Sequence, residues 1–98
     1  MTDPIVVLWF VKPKESWQQL SEEQRKELSR KLDATLKQVG GKEIVSCDAW
    51  LTFEWSQFGI DEYPSLEAAG QRKKLVEECG LEKYFDVKTT WGRRIPPA

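Results

Sequence analysis

Ile5-Val6-Val7-Leu8-Trp9-Phe10-Val11 is an unbroken apolar run, rich in β-branched and aromatic side chains and bracketed by Pro4 and Pro13. Seven residues are too few for a typical helix, so the run predicts a strand. Side chains alternate across a strand, and apolar residues at every position require both faces to be covered. Val6, Leu8 and Phe10 point one way; Ile5, Val7, Trp9 and Val11 point the other.

A polar stretch with helical period follows. Ser21-Glu22-Glu23-Gln24 has the spacing of a capping box, in which the serine side chain and the glutamine side chain each satisfy an orphan amide. Leu28, Leu32, Leu36 and Val39 then fall on one stripe, while Glu22, Glu23, Arg25, Lys26, Glu27, Arg30 and Lys31 lie mostly off it and read as a solvated face. Gly40-Gly41 supplies the left-handed residue that ends such a helix. No Lys-Ser/Thr follows these glycines, so they are not a phosphate loop.

Residues 42–51 predict a second strand, with Ile44, Val45, Cys47 and Trp50 as its apolar members. Residues 52–54 predict a turn, and residues 55–63 a third strand paired with the second as a hairpin. Pro64 stops that strand, Ser65 is a good N-cap, and Glu67 suits the first turn of a second helix. Leu66, Ala69, Leu75, Val76 and Cys79 form its expected buried stripe, and Gly80 caps it. Gly70 inside the helix costs up to ~1 kcal/mol relative to alanine, which a close approach to the sheet would explain. Residues 84–91 alternate as a last, half-buried strand. Residues 1–92 thus form one domain, and residues 93–98 a tail.

The order strand, helix, strand, strand, helix, strand is the split βαβ arrangement, an α+β ferredoxin-like βαββαβ fold. Right-handed crossovers put strands one and three at the centre of a four-stranded antiparallel sheet, with both helices on one face. The helices cover only half of the apolar first strand. Packing the other face on a second copy, sheet to sheet, as an isologous homodimer covers the rest.

Composition narrows the chemistry. A formal charge of −1 argues against a nucleic-acid partner bound through its phosphates, and no segment approaches the length of a membrane span. The two cysteines, Cys47 and Cys79, sit in apolar patterns and read as small core residues; with no secretory leader visible, a cytoplasmic setting is expected. There is no histidine. Imidazole bases, Ser–His and Cys–His pairs are therefore excluded, and neither a metal site nor a cofactor is expected.

Acid–base work would fall to carboxylates, tyrosine, lysine or cysteine with shifted pKa values, and the candidates are carboxylates inside the strands. Asp48 shares its side of the pleat with Trp50, while Asp61 and Gln57 share a face of strand three with Trp55 and Gly59. If the hairpin brings these together, Trp50, Trp55 and Gln57 would line a pocket for a small apolar or aromatic ligand. Asp48 or Asp61 would then be a carboxylate whose pKa is raised by burial against indole rings. The plainer and favoured expectation places both aspartates at strand ends facing water, with Tyr63 and Tyr84 as core rings carrying wet hydroxyls.

Two other uses of this topology are weaker. Phe58-Gly59-Ile60-Asp61-Glu62-Tyr63 faintly echoes the aromatic third strand of RNA-recognition modules, but it lacks the basic lead-in and carries two acids that repel phosphate. Lys12-Pro13-Lys14-Glu15 supplies neither the glycines nor the arginine of an acylphosphatase loop.

The strand running into Tyr63-Pro64-Ser65-Leu66-Glu67-Ala68, and the helix closing with Gly80-Leu81-Glu82-Lys83-Tyr84-Phe85, resemble the dimeric α/β-barrel branch of the ferredoxin-like fold. They look closer to an uncharacterised subfamily of that branch than to any assigned enzyme. The branch includes cofactor-free monooxygenase-like and stress-responsive proteins, so the resemblance implies a homodimer. It also implies, as an alternative to simple ligand binding, a cofactor-free oxygenase or isomerase using a buried carboxylate. Enzymatic members often use a histidine near the sheet, and none is present here.

Overall fold

The structure, a computed structural model, describes residues 3–49 and 54–97. The elements run β1 (Ile5–Pro13), α1 (Glu15–Gln18), α2 (Glu22–Gln38), β2 (Lys42–Asp48), β3 (Gln57–Tyr63), α3 (Leu66–Glu78), a 3-10 turn (Leu81–Lys83) and β4 (Phe85–Gly92). The sheet is antiparallel throughout and ordered β2-β3-β1-β4, the ferredoxin-like order with β1 and β3 central.

Local chemistry sets the boundaries. The Gln24 amide donates to Ser21 Oγ at 3.1 Å, and the Ser21 amide donates to Gln24 Oε1 at 2.9 Å, which completes the capping box of α2. At its other end Gly40, with φ +75°, turns the chain so that the Gly40 amide reaches Lys37 O and the Gly41 amide reaches Leu36 O. That is a Schellman closure, and a side chain at φ +75° would strain it. Ser65 Oγ accepts from the Ala68 amide and starts α3.

Side chains directly opposite in an antiparallel pair share a face. The pairings Ile5↔Tyr63, Val7↔Asp61, Trp9↔Gly59 and Val11↔Gln57 therefore place all eight residues beneath the helices. Val6, Leu8, Phe10, Phe58 and Ile60 share the opposite, uncovered face. Val7, Val39, Tyr63 and Ala69 form the core beneath the helices, with Ile5, Leu36, Ala68 and Leu75 packed against it. This core sits at one end of the helical layer. At the other end Trp17 of α1 packs at a tilt against Phe85, with ring centroids 4.7 Å apart, and Arg25 lies over the Trp17 ring.

Several boundaries depart from expectation. The ladder of β2 and β3 opens at Asp48↔Gln57, so Trp55 precedes β3 rather than starting it. Trp50, Leu51, Thr52 and Phe53, which include the expected turn, lie outside the described residues. A shift in register between Glu43 and Val45 leaves Ile44 as the extra residue of a bulge on the edge strand. Leu66 was expected in the buried stripe of α3 but, as its first residue, is 62% exposed, while Ala68 and Ala69 of the same turn enter the core. The tail is not simply solvated: Arg94 Nε donates to Glu62 Oε2 at 2.8 Å, and Arg93 pairs with Asp3.

Gly70 is the clearest departure, since a Cβ there meets nothing within 4 Å and no close approach to the sheet explains the glycine. Gly70→Ala is therefore expected to raise stability by up to ~1 kcal/mol through helix propensity alone. Urea unfolding should show a higher midpoint at unchanged slope. A lowered midpoint would mean that the space beside Gly70 is occupied in solution.

Candidate functional site

Packed at one end and propped by Trp17 at the other, the helices stand off the middle of the sheet and leave a cleft of about 740 Å³. This lies within the range of small-molecule sites. Its floor is the helix-facing side of the sheet. Its aromatic walls are Trp9, Trp17, Phe85 and Trp91, with Leu32 and Val76 above. Trp91 and Val87 are each 36% exposed, so the cleft opens along β4.

Gly59 shapes the floor. The Trp9 side chain lies across it so closely that a methyl group at position 59 would overlap the indole and come within 2.6 Å of Val45 O. Only glycine leaves that space, and the indole lies flat as a result.

At the packed end of the cleft sits a buried polar cluster. Arg72 Nη1 donates to Asp61 Oδ2 at 3.3 Å and to Tyr63 Oη at 2.8 Å; Nε donates to Thr35 Oγ1 at 2.9 Å, and Nη2 to Leu32 O at 3.2 Å. Thr35 Oγ1 in turn donates to Leu32 O at 2.7 Å. Asp61 also sits within electrostatic reach of the Trp9 and Tyr63 side chains. Its side chain is 9% exposed and that of Arg72 16% exposed, which makes this a buried ion pair.

Burial pushes the Asp61 carboxyl above its ordinary pKa, more strongly than the Arg72 charge and the hydrogen bonds from Trp9 and Arg72 pull it back; the nearby Glu43 charge adds a further push upward. Burial likewise raises the Tyr63 hydroxyl. On the uncovered face Glu62 behaves oppositely: the Arg94 hydrogen bond, with help from Lys42, holds it below the ordinary range.

The residues singled out from sequence are dispersed. Asp61 and Gln57 both line the cleft. Asp61 is buried, against the expectation that it faces water, because Arg72 reaches down from α3 to meet it. Asp48 is exposed at the end of β2 beside Gln57. Trp55 rests against Phe10, ring centroids 6.0 Å apart, on the uncovered face; pairing begins at Gln57, so the strand's alternation does not extend back to it. Trp50 lies outside the described residues. The Tyr63 hydroxyl is bound to Arg72 rather than wet. Among the described residues no group of three His, Cys, Asp or Glu side chains is placed to hold a metal ion, and no helix is long and apolar enough to cross a membrane.

The chain matches no family model and no curated protein. Among solved structures it is similar to a protein of unknown function from Rhodopseudomonas palustris. The identity is 18%, with 99% of this chain and 86% of that one covered at a TM-score of 0.73. A methylated form of the same protein superposes equally well, at a TM-score of 0.72 and 18% identity, covering 99% of this chain and 84% of that one. At that identity the likeness establishes a shared fold.

The buried pair gives a signed pH dependence. Between the ordinary carboxyl value of 3.8 and its raised folded value, Asp61 keeps its proton in the folded chain after the unfolded chain has released it. Its contribution is therefore fully present below 3.8 and lost as pH rises through the folded value. Urea unfolding from pH 3.5 to 7 should show the stability of the native chain falling relative to Asp61→Asn as pH rises. A difference that stays flat or grows with pH would contradict the raised value.

Proposed function

We propose that the protein is a homodimeric binding domain that holds a small apolar or aromatic molecule in the cleft between its helices and its sheet. The observation that carries this reading is the cleft itself: about 740 Å³, walled by Trp9, Trp17 and Trp91, in a chain whose buried core is otherwise small. Indole faces offer large contact area at little entropic cost, and Gln57 and Asp61 supply the few polar groups that orient a ligand. Asp61 also raises the alternative of carboxylate-based enzymatic catalysis. Its carboxyl is already paired with Arg72, and binding is the better-supported reading.

The dimer is supported by the uncovered sheet face. Val6, Leu8, Phe10, Phe58 and Ile60 form an apolar strip there, extended by Val45 at 41% exposure and by Trp55 against Phe10. Four strands about seven residues deep present roughly 450 Å² in projection. Two such faces, with side-chain relief, reach the ~1,000 Å² total expected of a specific interface. Charged residues flank the strip, with Lys42, Glu62 and Arg94 at one end and Lys12, Asp86 and Lys88 at the other. This arrangement also fits the resemblance to the dimeric α/β-barrel branch.

Light scattering at micromolar concentration should give the mass of two chains, and Leu8→Glu should give one folded chain. A monomeric native protein would remove the dimer from the reading. For the cleft, 1-naphthalenemethanol should quench tryptophan emission saturably, and Trp91→Ala should weaken its binding about fivefold or more. Binding indifferent to Trp91→Ala would place the ligand elsewhere.

A further inference from the structure

The charges around the cleft define its ligand more narrowly. Asp33, Glu43, Asp61, Glu77 and Glu82 line it, against Arg72 and Lys73. Arg72 is fully committed to Asp61, Tyr63, Thr35 and Leu32 O, and it cancels Asp61. Asp33, Glu43, Glu77 and Glu82 then face Lys73 alone. Elsewhere Glu15, Glu23, Asp48, Glu54, Glu67 and Glu78 also have no ion pair among the described residues, while Asp3, Glu22, Glu27, Glu62 and Asp86 each have a cationic partner. Glu43, by contrast, is met by the Ser46 hydroxyl, and no ion pair among the described residues engages Asp33 or Glu77. Lys14, at the Trp17 end, is directed to the Glu82 carbonyl oxygen and to Asp86.

An aromatic-walled cleft with an unneutralised acidic rim repels anions and attracts cations, and low-dielectric walls focus that field. Indole faces act in the same direction, because their quadrupole attracts an ammonium or amidinium group. Resting on the cleft reading above, we propose that the ligand is a small organic cation: an aromatic-sized apolar body carrying one ammonium or amidinium group. The body lies over Trp9 and against Trp91, and the cationic group is directed to the rim carboxylates of Asp33 and Glu77. Anionic aromatic molecules are excluded.

The test uses three probes of one shape and different charge: 1-naphthylmethylammonium, 1-naphthalenemethanol and 1-naphthoate, each titrated against the native chain by tryptophan emission. The cation should bind about fivefold to tenfold more tightly than the alcohol, and the carboxylate more weakly than either. The cation's advantage should shrink in 0.5 M salt and in the double variant Asp33→Asn/Glu77→Gln, both positions being exposed and so tolerant of the change. Equal binding of cation and alcohol, or a preference for the carboxylate, would overturn the charge assignment while leaving the cleft as a binding site. Failure of all three probes to bind would overturn the cleft reading as well.

Discussion

The guanidinium of Arg72 joins three elements that little else holds together. From α3 it reaches the Leu32 carbonyl and the Thr35 hydroxyl of α2, and Asp61 and Tyr63 of β3. A planar fork of donors suits such a junction, because each bond fixes the orientation of the next. The apolar core beneath it is small, and the helices touch the sheet chiefly at the Tyr63 end. The polar junction therefore sets the height at which the helical layer stands, and hence that a cleft exists in the middle of the fold. Desolvation outweighs the attraction at Asp61, so the ionised pair is tolerated rather than favoured, as buried pairs commonly are.

Strand β1 divides the molecule into two dissimilar halves. Beneath the helices its Val7 is core while Trp9 and Val11 line the cleft; on the other side Val6, Leu8 and Phe10 present an unbroken apolar strip. One strand thus floors the cleft on one face and carries the apolar strip on the other. Gly59, directly across from Trp9, lets the indole lie down instead of filling the cleft.

The architecture was legible because its signals are local. The apolar run of β1, the Ser21/Gln24 box and the paired glycines after α2 each act within a few residues, and each appears where the pattern put it. The site was legible only in part. Asp61 stood out as a carboxylate in an apolar strand, yet its partner did not: Arg72 lies among charged neighbours and was not singled out. The available signal was its spacing, three residues beyond Ala69 and four before Val76, which places it on the buried stripe of α3. Trp55 was drawn to the wrong face because alternation was extended past the point where pairing begins. The walls at Trp17 and Trp91 depend on how far the helices stand from the sheet, and no short-range pattern encodes that distance.

The strand pairing also bears on how the chain reaches this state. Val6 pairs with Gly92, so the central strand, first of the elements to be made, completes its ladder only with the last. Closing so long a loop is slow relative to local helix formation. Until β4 is available, a seven-residue apolar strand lacks one of its two neighbours, the kind of open edge on which other chains can add. The same run that organises the folded sheet is thus the chief aggregation hazard of the unfinished chain during synthesis.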